Sequence, residues 1–191
     1  MSQTRHTLCP EQQILDRALS KQTMARRPPW KLIIFDADGT LRRCTVEGQP
    51  CPNNLDEWEI IPGVLEKLQA YCWGPDLLMG IASNQGGVSL GYLSEDAAYQ
   101  MLLALYTTIT SRFPNHGLLQ VCPHTKADNC RCRKPHPGML EAIMRSADCT
   151  PEQTLFVGDQ DSDRCAAEAA GCAFEYATTF FDMRLGEKVR K

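Results

Sequence analysis

The sequence predicts an α/β protein with a doubly wound, Rossmann-like parallel sheet and helices on both faces. Short unbroken apolar runs alternate with stretches of helical periodicity. Helix start and stop residues fall between those runs, as strand–helix–strand units require. Carboxylate, hydroxyl and amide residues follow most of the runs, where ligands bind in such sheets.

The elements follow in order. Residues 1–30 divide into a helix over 10–25 and a linker. Pro10 suits a first helical position, Ile14, Leu15, Ala18 and Leu19 form one stripe, and Arg26-Arg27-Pro28-Pro29 ends it. The main domain is expected over 31–191. Leu32–Phe35 is wholly apolar, as in a strand covered on both faces. A helix over Gly63–Tyr71 starts after Pro62, and Leu77–Ala82 is the second strand. Ser94 caps a longer helix whose first turn carries Glu95 and Asp96, the sign that the helix dipole favours. Leu118–Val121 is a third strand and Pro137–Ser146 a helix. Thr150-Pro151-Glu152-Gln153 reads as a capping-box turn. Leu155–Val157 is a fourth strand, Asp161–Ala170 a helix stopped by Gly171, and Ala173–Ala177 a fifth strand.

At 191 residues the chain can bury a core without disulfides, and 43% apolar with 23% charged residues is ordinary for a globular protein. Net charge is −3, so no global positive field draws it to nucleic acid or anionic lipid. Lys21, Arg26 and Arg27 near one end, and Arg184, Lys188, Arg190 and Lys191 near the other, are read as solvated. The apolar runs are too short to span a bilayer, and residues 1–30 hold no signal-like apolar stretch. A cytoplasmic location is expected. Its thiols stay reduced, so the closely spaced members of the ten cysteines read as metal ligands before disulfides.

The strand ends carry the chemistry. Asp36-Ala37-Asp38-Gly39-Thr40 follows the first strand, and its carboxylates can converge on one cation. Ser83-Asn84-Gln85 follows the second, and Gly158-Asp159-Gln160-Asp161-Ser162-Asp163 the fourth. Arg133 and Lys134 lie between the third and fourth. Oxygen ligands for Mg²⁺, a carboxylate nucleophile, and hydroxyl and cationic groups for phosphate oxygens together suit phosphoryl transfer. Separately, Cys122, His124, Cys130 and Cys132 bring three thiolates and one imidazole to a short loop. Four protein ligands leave no open position on tetrahedral Zn²⁺, so this site is expected to be structural and to place Arg133 and Lys134.

These motifs resemble the haloacid dehalogenase superfamily of phosphatases over about residues 32–181, on Asp36-Ala37-Asp38-Gly39-Thr40, Ser83, Lys134 and Gly158-Asp159 through Asp163. The resemblance implies that Asp36 attacks phosphorus and becomes phosphorylated. Asp38 would protonate the leaving oxygen and then activate water. Asp36, the Asp38 carbonyl and Asp159 would hold Mg²⁺, with Asp163 supporting, while Ser83 and Lys134 bind the phosphoryl group. The zinc-loop pattern running on to Arg133-Lys134-Pro135-His136-Pro137-Gly138 is similar to the subgroup of heptose-1,7-bisphosphate 7-phosphatases and histidinol-phosphate phosphatases. That subgroup lacks a large cap domain. Short loops at 42–61 and 84–93, with the zinc loop, would then govern access. The resemblance to this subgroup implies that Arg133 would help bind the substrate and Asn84 would sit beside the phosphate. Ala37 and Leu90 stand where heptose bisphosphatases carry basic residues, which weakens the expectation of a second, distal phosphate.

The expected substrate is a small phosphorylated metabolite, phosphosugar or histidinol-phosphate-like. One alternative is a polynucleotide 3′-phosphatase acting on nucleic-acid ends, with Trp30, Trp58 or Trp73 stacking a base if exposed. An alternative of another class is a catalytically silent binding module on the same fold.

Overall fold

The computed structural model describes residues 30–183. The helix expected over 10–25 and the basic residues of both ends lie outside the described residues.

Parallel strands β1 (Leu32–Phe35), β4 (Leu78–Asn84), β5 (Leu119–Cys122), β6 (Thr154–Gly158) and β7 (Ala173–Tyr176) form one sheet in the order β5-β4-β1-β6-β7. The chain fills the sheet outward from β1 through β4 to β5, then returns to the other side of β1 as β6. That reversal makes the gap between β1 and β6 the topological switch point. All of Leu32–Phe35 is buried, because successive side chains enter opposite, equally covered faces.

Each face has its own core. Ile33 and Phe35 pack beneath α1 (Val64–Gln69), α2 (Glu95–Thr110) and α5 (Ala177–Phe180), with Leu68, Leu102, Leu105 and Phe180. Leu32 and Ile34 pack on the other side beneath α3 (Gly138–Ser146) and α4 (Asp161–Ala170), with Leu140, Ile143 and Ala166. Two predicted helix boundaries are realised. The Ala97 N–H donates to Ser94 Oγ at 3.1 Å, and Gly171 ends α4 with φ +76°.

Three local expectations are corrected. The segment 42–61, read as a loop, contains an antiparallel ribbon of β2 (Arg42–Cys44) and β3 (Trp58–Ile60). Three-residue strands carry too little alternation to register as a period. The polar turn between them is ordered by Glu57, whose carboxylate accepts from Gln49 Nε2, Asn53 N and Asn54 Nδ2 at 2.7–2.8 Å. Ala177 starts a helix instead of ending the fifth strand. β4 runs on to Asn84 and β6 to Gly158, so Ser83 and Asn84 are the last residues of a strand, not the first of a loop.

The tryptophans are anchors, not exposed platforms. Trp73 is buried and donates its indole N–H to Leu68 O at 2.7 Å, while Trp30 and Trp58 pack against the same core.

Candidate active site

Asp36 is the residue after β1, held at the sheet edge by its N–H to Val157 O at 2.9 Å. β1 and β6 are in register, Phe35 opposite Val157, so Asp159 and Asp163 rise beside it. One oxygen from each of Asp36, Asp159 and Asp163 converges within 4.8 Å of the others. The turns make room for them. Gly39 has φ +93°, and a Cβ there would stand 2.5 Å from Asp159 Oδ2. A Cβ on Gly158 would meet Asp163 Cβ at 2.5 Å. Thr40 Oγ1 and Gln160 Nε2 donate to Asp159 at 3.4 and 2.6 Å.

Lys134 enters this cluster from the far side of the chain. Its buried ammonium lies 2.5 Å from Asp36 Oδ1 and 2.7 Å from Asp163 Oδ1, and donates to Ala82 O at 2.9 Å. Asp163 also caps α4, accepting from the Gln160 N–H on Oδ2 at 3.0 Å. Burial pushes Asp36 up to about 8; the neighbouring Asp163 and Asp159 add to the rise, and Lys134 opposes it. Burial also raises Asp159. For Lys134 burial works downward, but the carboxylates of Asp36 and Asp163 outweigh it and hold the ammonium above its usual value. Three carboxylates against one ammonium form an all-oxygen donor set with excess negative charge, which suits a hard divalent cation such as Mg²⁺.

Asp38 is turned elsewhere. Its side chain does not belong to the three-carboxylate cluster, so its main-chain carbonyl is what it could offer a cation there. The carboxylate accepts from Arg42 Nε at 2.8 Å and Nη2 at 3.3 Å, from Gln85 Nε2 at 2.7 Å and from Ser83 Oγ at 3.5 Å. The sequence does not single out Arg42, and it offers Gln85 only as part of the run after the second strand. Arg42 directly follows an apolar residue and carries no motif, and only the ribbon buries it.

Asp36, Asp38, Ser83, Asn84, Lys134 and Asp163 line one pocket of about 230 Å³. Pro50 and Cys51 from the ribbon turn, with Gln160 and Ser162, complete its wall. A larger depression of about 460 Å³ between Leu55 and α2 has no carboxylate in its lining. Two expectations shift. Asn84 lines the pocket, but its amide is engaged with the Lys134 main chain, accepting from N at 3.0 Å and donating to O at 3.2 Å. Arg133 is not in the lining, and its guanidinium donates to His124 O at 2.8 Å.

The second cluster is complete. Cys122, Cys130 and Cys132 Sγ lie 3.4–3.6 Å from one another, and His124 Nδ1 lies 3.7 Å from Cys122 and 3.3 Å from Cys132. A sulfur–sulfur bond would be ~2.0 Å. The edges of a tetrahedron around zinc, from bonds of ~2.1–2.3 Å, come to roughly 3.5–3.8 Å. These four side chains therefore have the spacing of a zinc cage. The three thiols share one proton balance: the Arg133 N–H and the neighbouring thiols bring Cys130 down to about 7 against its burial, whereas burial raises Cys132 and pushes Cys122 up to about 12, so a cation would have to displace protons from those two.

A family model described as polynucleotide kinase 3 phosphatase matches residues 31–185. The D-glycero-beta-D-manno-heptose-1,7-bisphosphate 7-phosphatase of Pseudomonas putida is 33% identical over 141 residues, covering 74% of this chain and 78% of the relative. The chain belongs to this family, a branch of the haloacid dehalogenase phosphatases. Histidine biosynthesis bifunctional protein HisB of Legionella pneumophila is 31% identical over 148 residues, 75% of this chain and 40% of that protein. The crystal structure of D,D-heptose 1.7-bisphosphate phosphatase from B. bronchiseptica, complexed with magnesium and phosphate, superposes with a TM-score of 0.61 at 30% identity, covering 75% and 78% of the two chains. A putative had-like phosphatase from Mesorhizobium loti shares the fold, with a TM-score of 0.59 at 22% identity over 75% and 70%. As a haloacid dehalogenase phosphatase, the chain is a phosphoric monoester hydrolase, and the pocket at the switch point is its candidate centre.

The raised Asp36 predicts how Mg²⁺-free protein responds to pH. Between its ordinary value of 3.8 and about 8, the folded state holds a proton that the unfolded state releases, so stability should fall as pH rises through that window. In protein dialysed free of Mg²⁺ with any zinc retained, the thermal midpoint should drop from pH 5 toward pH 8, and added Mg²⁺ should restore more at pH 8 than at pH 5. A metal-induced rise that is equal at both values would contradict this coupling.

Proposed function

We propose that the chain hydrolyses monophosphate esters of small metabolites, phosphosugar or histidinol-phosphate-like, with Asp36 as nucleophile and Mg²⁺ as cofactor. The observation that carries this reading is the meeting of Asp36, Asp159, Asp163 and Lys134 at the switch point. In-line attack needs a carboxylate beside a cation site and a fixed ammonium for the phosphoryl oxygens, and this cluster supplies both.

Asp36 attacks phosphorus and the leaving oxygen departs with a proton from Asp38. Water, relieved of a proton by Asp38, then attacks the aspartyl phosphate and frees Asp36. Asp36, the Asp38 carbonyl and Asp159 are the Mg²⁺ ligands, while Asp163 supports the site and orients Lys134. When bound, the cation screens the charge between the attacking carboxylate and the phosphate dianion. Ser83 and Lys134 bind the phosphoryl group. Asn84 acts through the Lys134 main chain, to which it is bonded. Arg133 reaches the substrate only by leaving the His124 carbonyl.

Cys122, His124, Cys130 and Cys132 hold a structural zinc, which ties the loop bearing Arg133 and Lys134 to the end of β5. With thiols kept reduced for that purpose, the chain works in the cytoplasm; among the described residues no helix is long and apolar enough to cross a membrane.

The substrate class draws support from relatives named for heptose bisphosphate and histidine biosynthesis. The family model's own description favours a second reading, the polynucleotide 3′-phosphatase. Against it, Trp73 is buried, and Trp30 and Trp58 are partly buried against the same core. A panel of histidinol phosphate, sugar phosphates and bisphosphates, nucleotides and a 3′-phosphorylated oligonucleotide, ranked by kcat/KM, decides between them. A small-metabolite ester should lead. An oligonucleotide in first place, with affinity that falls steeply with salt, would replace this reading with the second. No turnover of any of them with Mg²⁺ would leave the silent binding module.

Asp36→Asn should lower turnover of 4-nitrophenyl phosphate by roughly 10³-fold or more while the far-ultraviolet circular dichroism stays unchanged. Near wild-type activity would remove Asp36 as nucleophile. Cys130→Ser combined with Cys132→Ser should lower zinc content to well below one ion per chain and lower the thermal midpoint. Native protein purified without chelator and found free of zinc would refute the cage.

A further inference from the structure

Arg42 is the largest fully buried side chain in the described protein, at 0% exposure, yet the reaction as written gives it no task. It sits in β2, with its guanidinium 5.6 Å from the centre of the Trp58 ring in β3. Nε and Nη2 fork onto the two oxygens of Asp38, while Nη1 makes no hydrogen bond among the described residues. Stability alone does not explain the arrangement. A buried ion pair is often no better than apolar side chains of the same volume, and a guanidinium N–H left unpaired adds a further cost.

The bonding of Asp38 suggests what the cost supports. A carboxylate oxygen has two lone pairs. Oδ2 faces Arg42 Nη2, Gln85 Nε2 and Ser83 Oγ, so its acceptor capacity is used up. Among the described residues Oδ1 accepts only from Arg42 Nε, at 2.8 Å. The fork fixes the carboxylate plane from the ribbon side and Gln85 fixes it from β4. One lone pair on Oδ1 is left for exchange with the pocket that Asp38 lines.

We propose that Arg42 is a positioning residue that, with Gln85, aims Oδ1 of Asp38 at the leaving oxygen and makes it the atom that carries the transferred proton. This rests on the phosphoryl-transfer reading above. As the bond from phosphorus to the leaving oxygen breaks and the bond to Asp36 forms, the proton moves from Oδ1 to that oxygen. The attacking water later gives one proton to Oδ1 and bonds through its oxygen to phosphorus as the phosphorus–Asp36 bond breaks, so both aspartates end as they began. The β2–β3 ribbon is thereby a working part of the catalytic apparatus, and Trp58 is the surface against which the guanidinium is held.

The test is the dependence of kcat/KM on the leaving group, because that constant covers the steps up to alcohol departure. Wild type, Arg42→Met and Arg42→Lys are compared on 4-nitrophenyl, phenyl and alkyl phosphates with Mg²⁺. 4-Nitrophenolate leaves readily without a proton, whereas an alkoxide does not. Arg42→Met should reduce kcat/KM for the alkyl ester about 100-fold relative to wild type, and for 4-nitrophenyl phosphate about 10-fold or less. Arg42→Lys, which keeps the charge without the fork, should fall between. The ratio of the two substrates is independent of the fraction of chains correctly folded, so partial misfolding cannot imitate the result. A uniform loss across leaving groups, or none, would overturn the positioning role. Wild-type activity that survives Asp36→Asn would instead overturn the phosphoryl-transfer reading on which the role rests.

Discussion

The structure is organised around a charge imbalance: three carboxylates, two of them buried, meet one buried ammonium at the end of a parallel sheet. Neutral or well-paired side chains would be easier to bury there, since desolvating an ion costs several kcal/mol even in a relaxed protein. The protein accepts a strained electrostatic arrangement and prepares it carefully. Gly39 and Gly158 leave space that a single methyl group would fill, and Asp163 is shared between the first turn of α4 and Lys134. The imbalance is a requirement for a cation, written in the placement of the side chains.

The surrounding pieces can be understood as supports for that cluster. Lys134 arrives from a loop, and loops place charges poorly unless they are tied down. Two ties are present on either side of it. The Cys122–Cys132 cage closes the loop on the end of β5, and Asn84 clasps the Lys134 peptide from the end of β4. The opposite wall of the pocket is held by the β2–β3 ribbon. It buries Arg42 against Trp58 and, through Arg42, orients Asp38. The sheet supplies Asp36 and Ser83 from its ligand-binding edge, and hydrogen bonds that involve no substrate tie Lys134 and Asp38 to residues at the end of β4.

The narrowness of the site follows from the same economy of parts. Among the described residues there is no separate cap, and the walls are the ribbon turn at Pro50 and Cys51 and the helix start at Gln160 and Ser162. Apart from Lys134, no cation lines the pocket, and Lys134 is already paired with Asp36 and Asp163. Arg133, the next nearest by sequence, is anchored on the His124 carbonyl. Such a wall fits a neutral alcohol better than one bearing a second phosphate.

Much of this was legible in the linear sequence because the relevant signals are local. An apolar run buried on both faces announces a strand, and the carboxylates after it are carried to the ligand edge by connectivity alone. Asp36, Ser83, Lys134 and Asp159 followed from that rule and from the motifs they belong to. Cys122, His124, Cys130 and Cys132 were legible because few other roles bring thiols and an imidazole so close together. The tertiary structure alone decided which lone pair faces which donor. Arg42 reaches Asp38 only because two three-residue strands pair, Asn84 faces a peptide fifty residues away, and Arg133 turns aside to a carbonyl. Hydrogen bonds last over a few ångströms and have direction, so such choices depend on packing between distant segments. No periodicity along the chain encodes them.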